Sequence, residues 1–107
     1  MHQIMEIKDV DTFLSSYKIS LLYISQEACS VCHALLPKVE IMLETFPRLE
    51  SAYVRIDDVP ELAGKFSVFT APTLILFVEG KEMVRKARFV VMQELEADIK
   101  KYYDLVM

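Results

Sequence analysis

Cysteine, glycine, histidine and positive charge are all in short supply in this chain, and each shortage removes a class of protein. Two cysteines leave no second C-x-x-C, whereas a structural zinc site wants four ligands. His2 and His33 are the only histidines. Two glycines in 107 residues, 53% of them hydrophobic, with no low-complexity segment, describe a compact globular chain and not a disordered one. Twelve Lys and Arg against sixteen Asp and Glu give a net charge of -4. The cations are scattered apart from a modest cluster at Lys81, Arg85, Lys86 and Arg88, which leaves no basic face for nucleic acid.

Long apolar runs are missing too. Leu74 to Val78, the longest near the middle, falls far short of the roughly 20 residues that span a bilayer. Met1 to Lys8 has neither the basic nor the apolar region of a signal peptide. Taken as a full native chain, the protein is expected in the cytoplasm, where a structural disulfide is hard to maintain. No internal repeat is apparent, and residues 1-107 are read as one domain, able to bury about two-thirds of its unfolded surface.

What the chain does have is Cys29-Ser30-Val31-Cys32, placed where an apolar run ends and a helical pattern begins. Ile19 to Ser25 is rich in Leu, Ile and Tyr and bounded by polar residues, as a buried strand would be. A C-x-x-C that opens a helix after a strand points to redox chemistry more than to a structural bridge. The helix N-terminus favours negative charge and so lowers a thiol's pKa.

Around this motif the chain reads as alternating elements. Residues 3 to 7 form a short edge strand, and Asp9 or Asp11 caps a helix carrying Val10, Phe13, Leu14 and Tyr17. Leu21 to Ser25 is the first core strand. The helix from Val31 to about Phe46 holds Leu35, Leu36, Val39, Met42, Leu43 and Phe46 on one face, with Pro37 expected to kink or interrupt it. Ala52 to Ile56 is a second strand, ended by Asp57-Asp58, which reads as a solvated strand end. A helical turn over Glu61 to Phe66 leads to Thr70-Ala71-Pro72-Thr73. Leu74 to Val78 and Glu82 to Arg88 are strands joined by a tight turn at Glu79-Gly80-Lys81. Met92, Leu95, Ile99, Tyr102 and Val106 make one stripe of a terminal amphipathic helix. The order β-α-β-α-β-α-β-β-α implies an α/β fold, a mixed sheet with helices on both faces.

Taken together and in order, the C-x-x-C at a strand-to-helix junction, Pro37, the acidic strand end at Asp57, Ala71-Pro72-Thr73 before a strand and the hairpin Gly80 resemble the thioredoxin family over nearly the whole chain. The resemblance implies a thioredoxin-like fold with a central sheet of four to five strands, and a cis Pro72 beside the dithiol. It also implies the roles: Cys29 is the exposed nucleophile and Cys32 the more buried resolving thiol. The Ala71 backbone would pair with an extended substrate segment as an added strand. The expected activity is thiol-disulfide exchange, reducing protein disulfides through a Cys29-Cys32 cycle. A reductase or a low-molecular-weight thiol would supply the electrons, and the protein is expected to be a monomer without cofactor or metal.

Four departures from the family pattern stand out. Ala28 stands where the family usually has Trp, and Ser30-Val31 where it has Gly-Pro. Tyr23 and Tyr53 occupy the places of a buried aspartate and its lysine partner; losing both together avoids stranding one buried charge. Water, Glu27 or the Tyr23 hydroxyl would then have to serve the resolving thiol's proton. Arg88 falls near a groove glycine, where a cation narrows the groove or favours the Cys29 thiolate. His33, one turn from Cys29, would favour that thiolate in its charged form.

Three rival readings attach to the same residues. Cys29 to His33 matches the C-x-x-C-H of c-type haem attachment, but that needs export. Cys29, Cys32 and His33 share a helical face without a fourth metal ligand, and a cluster bridged between two copies is the remaining metal reading. The departures themselves favour a thioredoxin-fold interaction module with little or no turnover. The six Met and the Phe and Tyr residues read as core packing, with Tyr102 and Tyr103 anchoring the last helix.

Overall fold

The computed structural model describes all 107 residues, Met1–Met107. The elements follow the expected order: β1 (His2–Ile4), α1 (Ile7–Ser16), β2 (Ile19–Ser25), α2 (Ser30–Leu43), β3 (Glu50–Arg55), α3 (Leu62–Phe66), β4 (Thr73–Val78), β5 (Lys81–Ala87) and α4 (Met92–Val106). One five-stranded sheet has the order β1-β3-β2-β4-β5. β1 and β2 both run parallel to β3, while β4 is antiparallel to β2 and to β5.

Every residue of β2 is buried, because it is the central strand and has a neighbour on each side. Its alternation divides the core in two. Leu22 and Ile24 join Ile75 and Phe77 of β4 under α1 and α3, against Val10, Phe13 and Leu62. Ile19, Leu21 and Tyr23 join Leu74 and Leu76 under α2 and α4, against Leu35, Val39, Leu95 and Ile99. Helices therefore cover both faces, as the period-two and period-three-to-four patterns imply.

Four local expectations change. The first strand is His2–Ile4 and not residues 3 to 7, because its extent is set by parallel pairing with Ala52 to Val54 of β3. α1 begins at Ile7, with Glu6 as N-cap and no side-chain cap. Asp9 therefore sits inside the first turn, and Asp11 instead pairs with Lys65 at 2.8 Å. α2 is not interrupted at Pro37; the proline removes only the bond its N–H would have made to the preceding turn. In β5, Leu76 faces Val84 while Phe77 faces Glu82, so Met83 is the extra residue of a bulge.

The β4–β5 hairpin has a two-residue loop, with Val78 opposite Lys81. Glu79 and Gly80 both take positive φ, +51° and +82°, the mirror-image turn whose twist suits two strands. At the far end of the sheet, Ser25 faces Arg55, Ile24 faces Thr73 and Thr73 faces Ala87. The exits of β2, β3 and β5 and the entry to β4 thus meet at one edge.

Candidate active site

Chain leaving β2 at Ser25 crosses Gln26 to Ala28 and enters α2 with Cys29 as its N-cap. The Cys29 sulfur accepts the backbone N–H of Cys32 at 3.2 Å, and the Cys29 carbonyl accepts that of His33 at 3.2 Å. Sulfur therefore takes the place that a serine or aspartate oxygen fills at other helix starts, where orphan donors and the helix dipole favour negative charge. The two sulfurs are joined as a disulfide across one helical turn, with Cα atoms 5.3 Å apart. Cys29 is half-buried, whereas Cys32 is 1% exposed. Only the first sulfur lies within reach of a bulky partner.

The loop before Cys29 is held from two sides. The Glu27 N–H donates to the Asp57 carboxylate at 3.0 Å, and the Glu27 carbonyl lies 2.8 Å from His33 Nε2, which must carry its proton to donate there. The Glu27 N–H holds the Asp57 carboxyl below its ordinary range, with Asp57's own N–H and the Arg55 charge adding to the effect. The strand end read as solvated is thus anchored. Asp57 ties β3 to the cysteine loop, and Asp58 takes Arg55 in a two-point pair at 2.9 and 3.2 Å.

Beneath the second cysteine lies Tyr23. Its hydroxyl donates to the Cys32 carbonyl at 2.6 Å, and its ring stacks on Tyr53 at 5.8 Å between centroids. Burial, and then Tyr53, push the Tyr23 phenol well above its ordinary range. It keeps its proton and serves as a donor to the first turn of α2.

Pro72 follows a cis peptide bond from Ala71. It precedes Thr73, which faces Ile24, so it stands at the sheet end from which the cysteine loop departs. The Pro72 carbonyl accepts the Arg88 N–H at 2.8 Å, and the Thr73 hydroxyl donates to the Thr70 carbonyl at 2.7 Å. Half-buried Ala71 lies outside β4, and its backbone has no partner in the sheet. Arg88 is exposed and takes φ +66°, a left-handed conformation that glycine adopts most readily.

All the candidate residues therefore converge on one edge of the sheet. No three His, Cys, Asp or Glu side chains gather as a metal site, and no helix is long and apolar enough to cross a membrane. Sequence reasoning missed the Asp57 grip on Glu27, because a side chain bonding to backbone across 30 residues leaves no local pattern, and the His33 grip, because it depends on how the loop folds back over the first turn of α2. It also missed the exposure of Phe69 and Phe89, which composition assigned to the core.

The sequence model of the family described as Thioredoxin matches residues 4–101. The chain is 46% identical over 96 residues to the thioredoxin-like protein YdfQ of Bacillus subtilis, covering 90% of this chain and 86% of that one. It is 34% identical over 83 residues to the thioredoxin of Chlamydia trachomatis, covering 76% and 81%. Among solved structures, a Plasmodium falciparum thioredoxin superposes with a TM-score of 0.86 at 20% identity, over 95% of this chain and 99% of that one.

Proposed function

This chain belongs to the thioredoxin family, and from that premise we propose that it reduces protein disulfides by cycling Cys29 and Cys32 between dithiol and disulfide. The observation that carries the reading is the Cys29 sulfur at the N-cap of α2, taking the Cys32 N–H, while the Cys32 sulfur is buried below it. A reduced Cys29 in that place is favoured as thiolate, the form that attacks.

Two exchanges make the cycle. The Cys29 thiolate attacks one sulfur of the substrate disulfide; a Cys29–substrate S–S bond forms, the substrate bond breaks, and the departing sulfur takes a proton. Cys32 then loses its proton and attacks Cys29, which closes the Cys29–Cys32 bond and frees the second substrate thiol. Two electrons and two protons pass to the substrate. A reductase or a low-molecular-weight thiol returns them, and the cytoplasm is the compartment where such donors keep thiols reduced. The free backbone at Ala71 would pair with an extended substrate strand. Glu27 and His33 fix the loop that carries Cys29, and Tyr23 fixes the turn that carries Cys32.

Insulin-disulfide reduction driven by dithiothreitol tests the reading. Cys29→Ser should lower the rate at least about a hundredfold, as loss of an attacking nucleophile does. Cys32→Ser should stall as a mixed disulfide on Cys29. Activity that survives Cys29→Ser removes that residue from the role. A second reading, a binding module with little turnover, is favoured by Tyr23: a phenol bonded to a carbonyl stands where a buried acid would serve Cys32. In that case the Cys29→Ser, Cys32→Ser double variant keeps its partner and its cellular effect, and loss of both rejects the module.

A further inference from the structure

Near the end of β5 the cations are used up by neighbours, with one exception. Arg85 pairs with Glu82 at 2.7 Å and also donates to the Phe66 carbonyl. Lys86 pairs with Asp98 at 2.9 Å. Arg88, two residues further on, is exposed and makes no ion pair. Its backbone is hydrogen-bonded to Pro72 at 2.8 Å, so this unspent charge is rooted beside the unpaired Ala71 backbone. It is also a side chain in a left-handed conformation, and non-glycine residues held there mark functional positions more often than chance.

The same edge carries the two most exposed large apolar side chains of the molecule, Phe69 at 78% and Phe89 at 89%, with Val31 at 55% on the first turn of α2. Phe69 lies two residues before Ala71, and Phe89 directly follows Arg88. An exposed cation followed in the chain by one exposed phenyl ring, with a second exposed phenyl two residues before the free strand-pairing groups of Ala71, fits an extended polypeptide better than a small ion. The net charge of -4 repels acidic partners from the molecule as a whole, so Arg88 is a local reversal of that field.

Resting on the reading of Cys29–Cys32 as a site that exchanges with protein disulfides, we infer that Arg88 is a specificity-determining residue. It selects extended segments that carry an acidic side chain beside the half-cystine and an apolar residue close by. A segment paired along Ala71 runs beside Arg88, whose N–H is bonded to the Pro72 carbonyl, whereas the acids Glu27 and Asp57 are joined to each other at the ends of β2 and β3. An acidic side chain next to the bound cysteine is therefore favoured where it reaches Arg88.

The test uses three peptides, identical except for Asp, Asn or Lys next to the cysteine, each bearing a Phe and holding its cysteine as a mixed disulfide with one chromogenic thiol. Dithiothreitol supplies electrons, and kcat/KM is measured at low and high salt. The wild-type chain should prefer the Asp to the Lys peptide by about tenfold at low salt, the combined size of an exposed attraction and the matching repulsion. The ratio should be kept in Arg88→Lys, fall to near one in Arg88→Gly, invert in Arg88→Glu, and shrink as salt rises. A merely structural arginine would move none of these ratios with charge. In parallel, binding of serine analogues of the three peptides to the Cys29→Ser, Cys32→Ser protein reports selection without turnover. If no peptide is reduced, the oxidoreductase reading fails and the binding order alone judges Arg88. Equal binding and equal rates for Asp and Lys peptides, or a preference that survives Arg88→Gly, overturns the assignment.

Discussion

At Arg88 the backbone holds φ +66° with a full side chain attached. In that region Cβ crowds the next carbonyl at a cost of about 1–2 kcal/mol, which glycine avoids. Arg88→Gly should therefore raise the unfolding free energy by about 0.5–1 kcal/mol, net of the extra freedom glycine has when unfolded. Urea denaturation of the oxidised protein measures it, and a destabilised variant would mean that the arginine side chain holds the turn by contacts of its own. Tyr23 makes the opposite case. Its hydroxyl is buried and bonded to the Cys32 carbonyl, and Tyr23→Phe deletes that bond while leaving the stacked ring in place. A helix carbonyl has two lone pairs and the helix ladder serves one of them, so the loss should be about 1 kcal/mol, read by the same denaturation. An unchanged midpoint would show that the bond contributes nothing net.

Between elements, the contact with the clearest pH signature is Asp57 gripping the Glu27 N–H from the end of β3. Its carboxyl titrates below the ordinary 3.8 when folded, mainly because of that hydrogen bond. The stabilisation is accordingly complete above the unfolded pKa and disappears as the pH falls through the folded one. Unfolding free energies taken from neutrality to about pH 2 should show Asp57→Asn less stable than wild type at neutral pH, with the gap closing in acid. A gap of constant size would mean that the carboxylate's charge is not what matters. Glu82 is also held below its ordinary range, chiefly by Arg85, so the variant keeps part of the acid limb. β2, α2, the β4–β5 hairpin and α4 were legible because periodicity and turn chemistry are local. The limits of β1, the start of α1 and the Met83 bulge were not, because partner strands and packing set them. In the site, the cysteines and Pro72 could be placed by order along the chain. The bonds of Asp57, His33 and Tyr23 join backbone and side chains from separate elements, and no spacing encodes them.

Across the whole molecule, the two outer strands bear on how the protein behaves in concentrated solution. Exposed strand edges recruit other chains unless they are short, kinked or charged. β1 is three residues long, too brief to template a lasting pair. β5 is bent by its bulge and carries Lys81, Glu82, Arg85 and Lys86. Both flanks of the sheet are thus poor starting points for β-aggregation, while the unpaired backbone at Ala71 stays open at the end of the molecule. On the proposed function the protein meets extended chains, and with them the hazard of being drawn into their aggregates. Here the backbone available for pairing is confined to a site one strand wide, where a visitor can be held briefly but cannot be followed by a second.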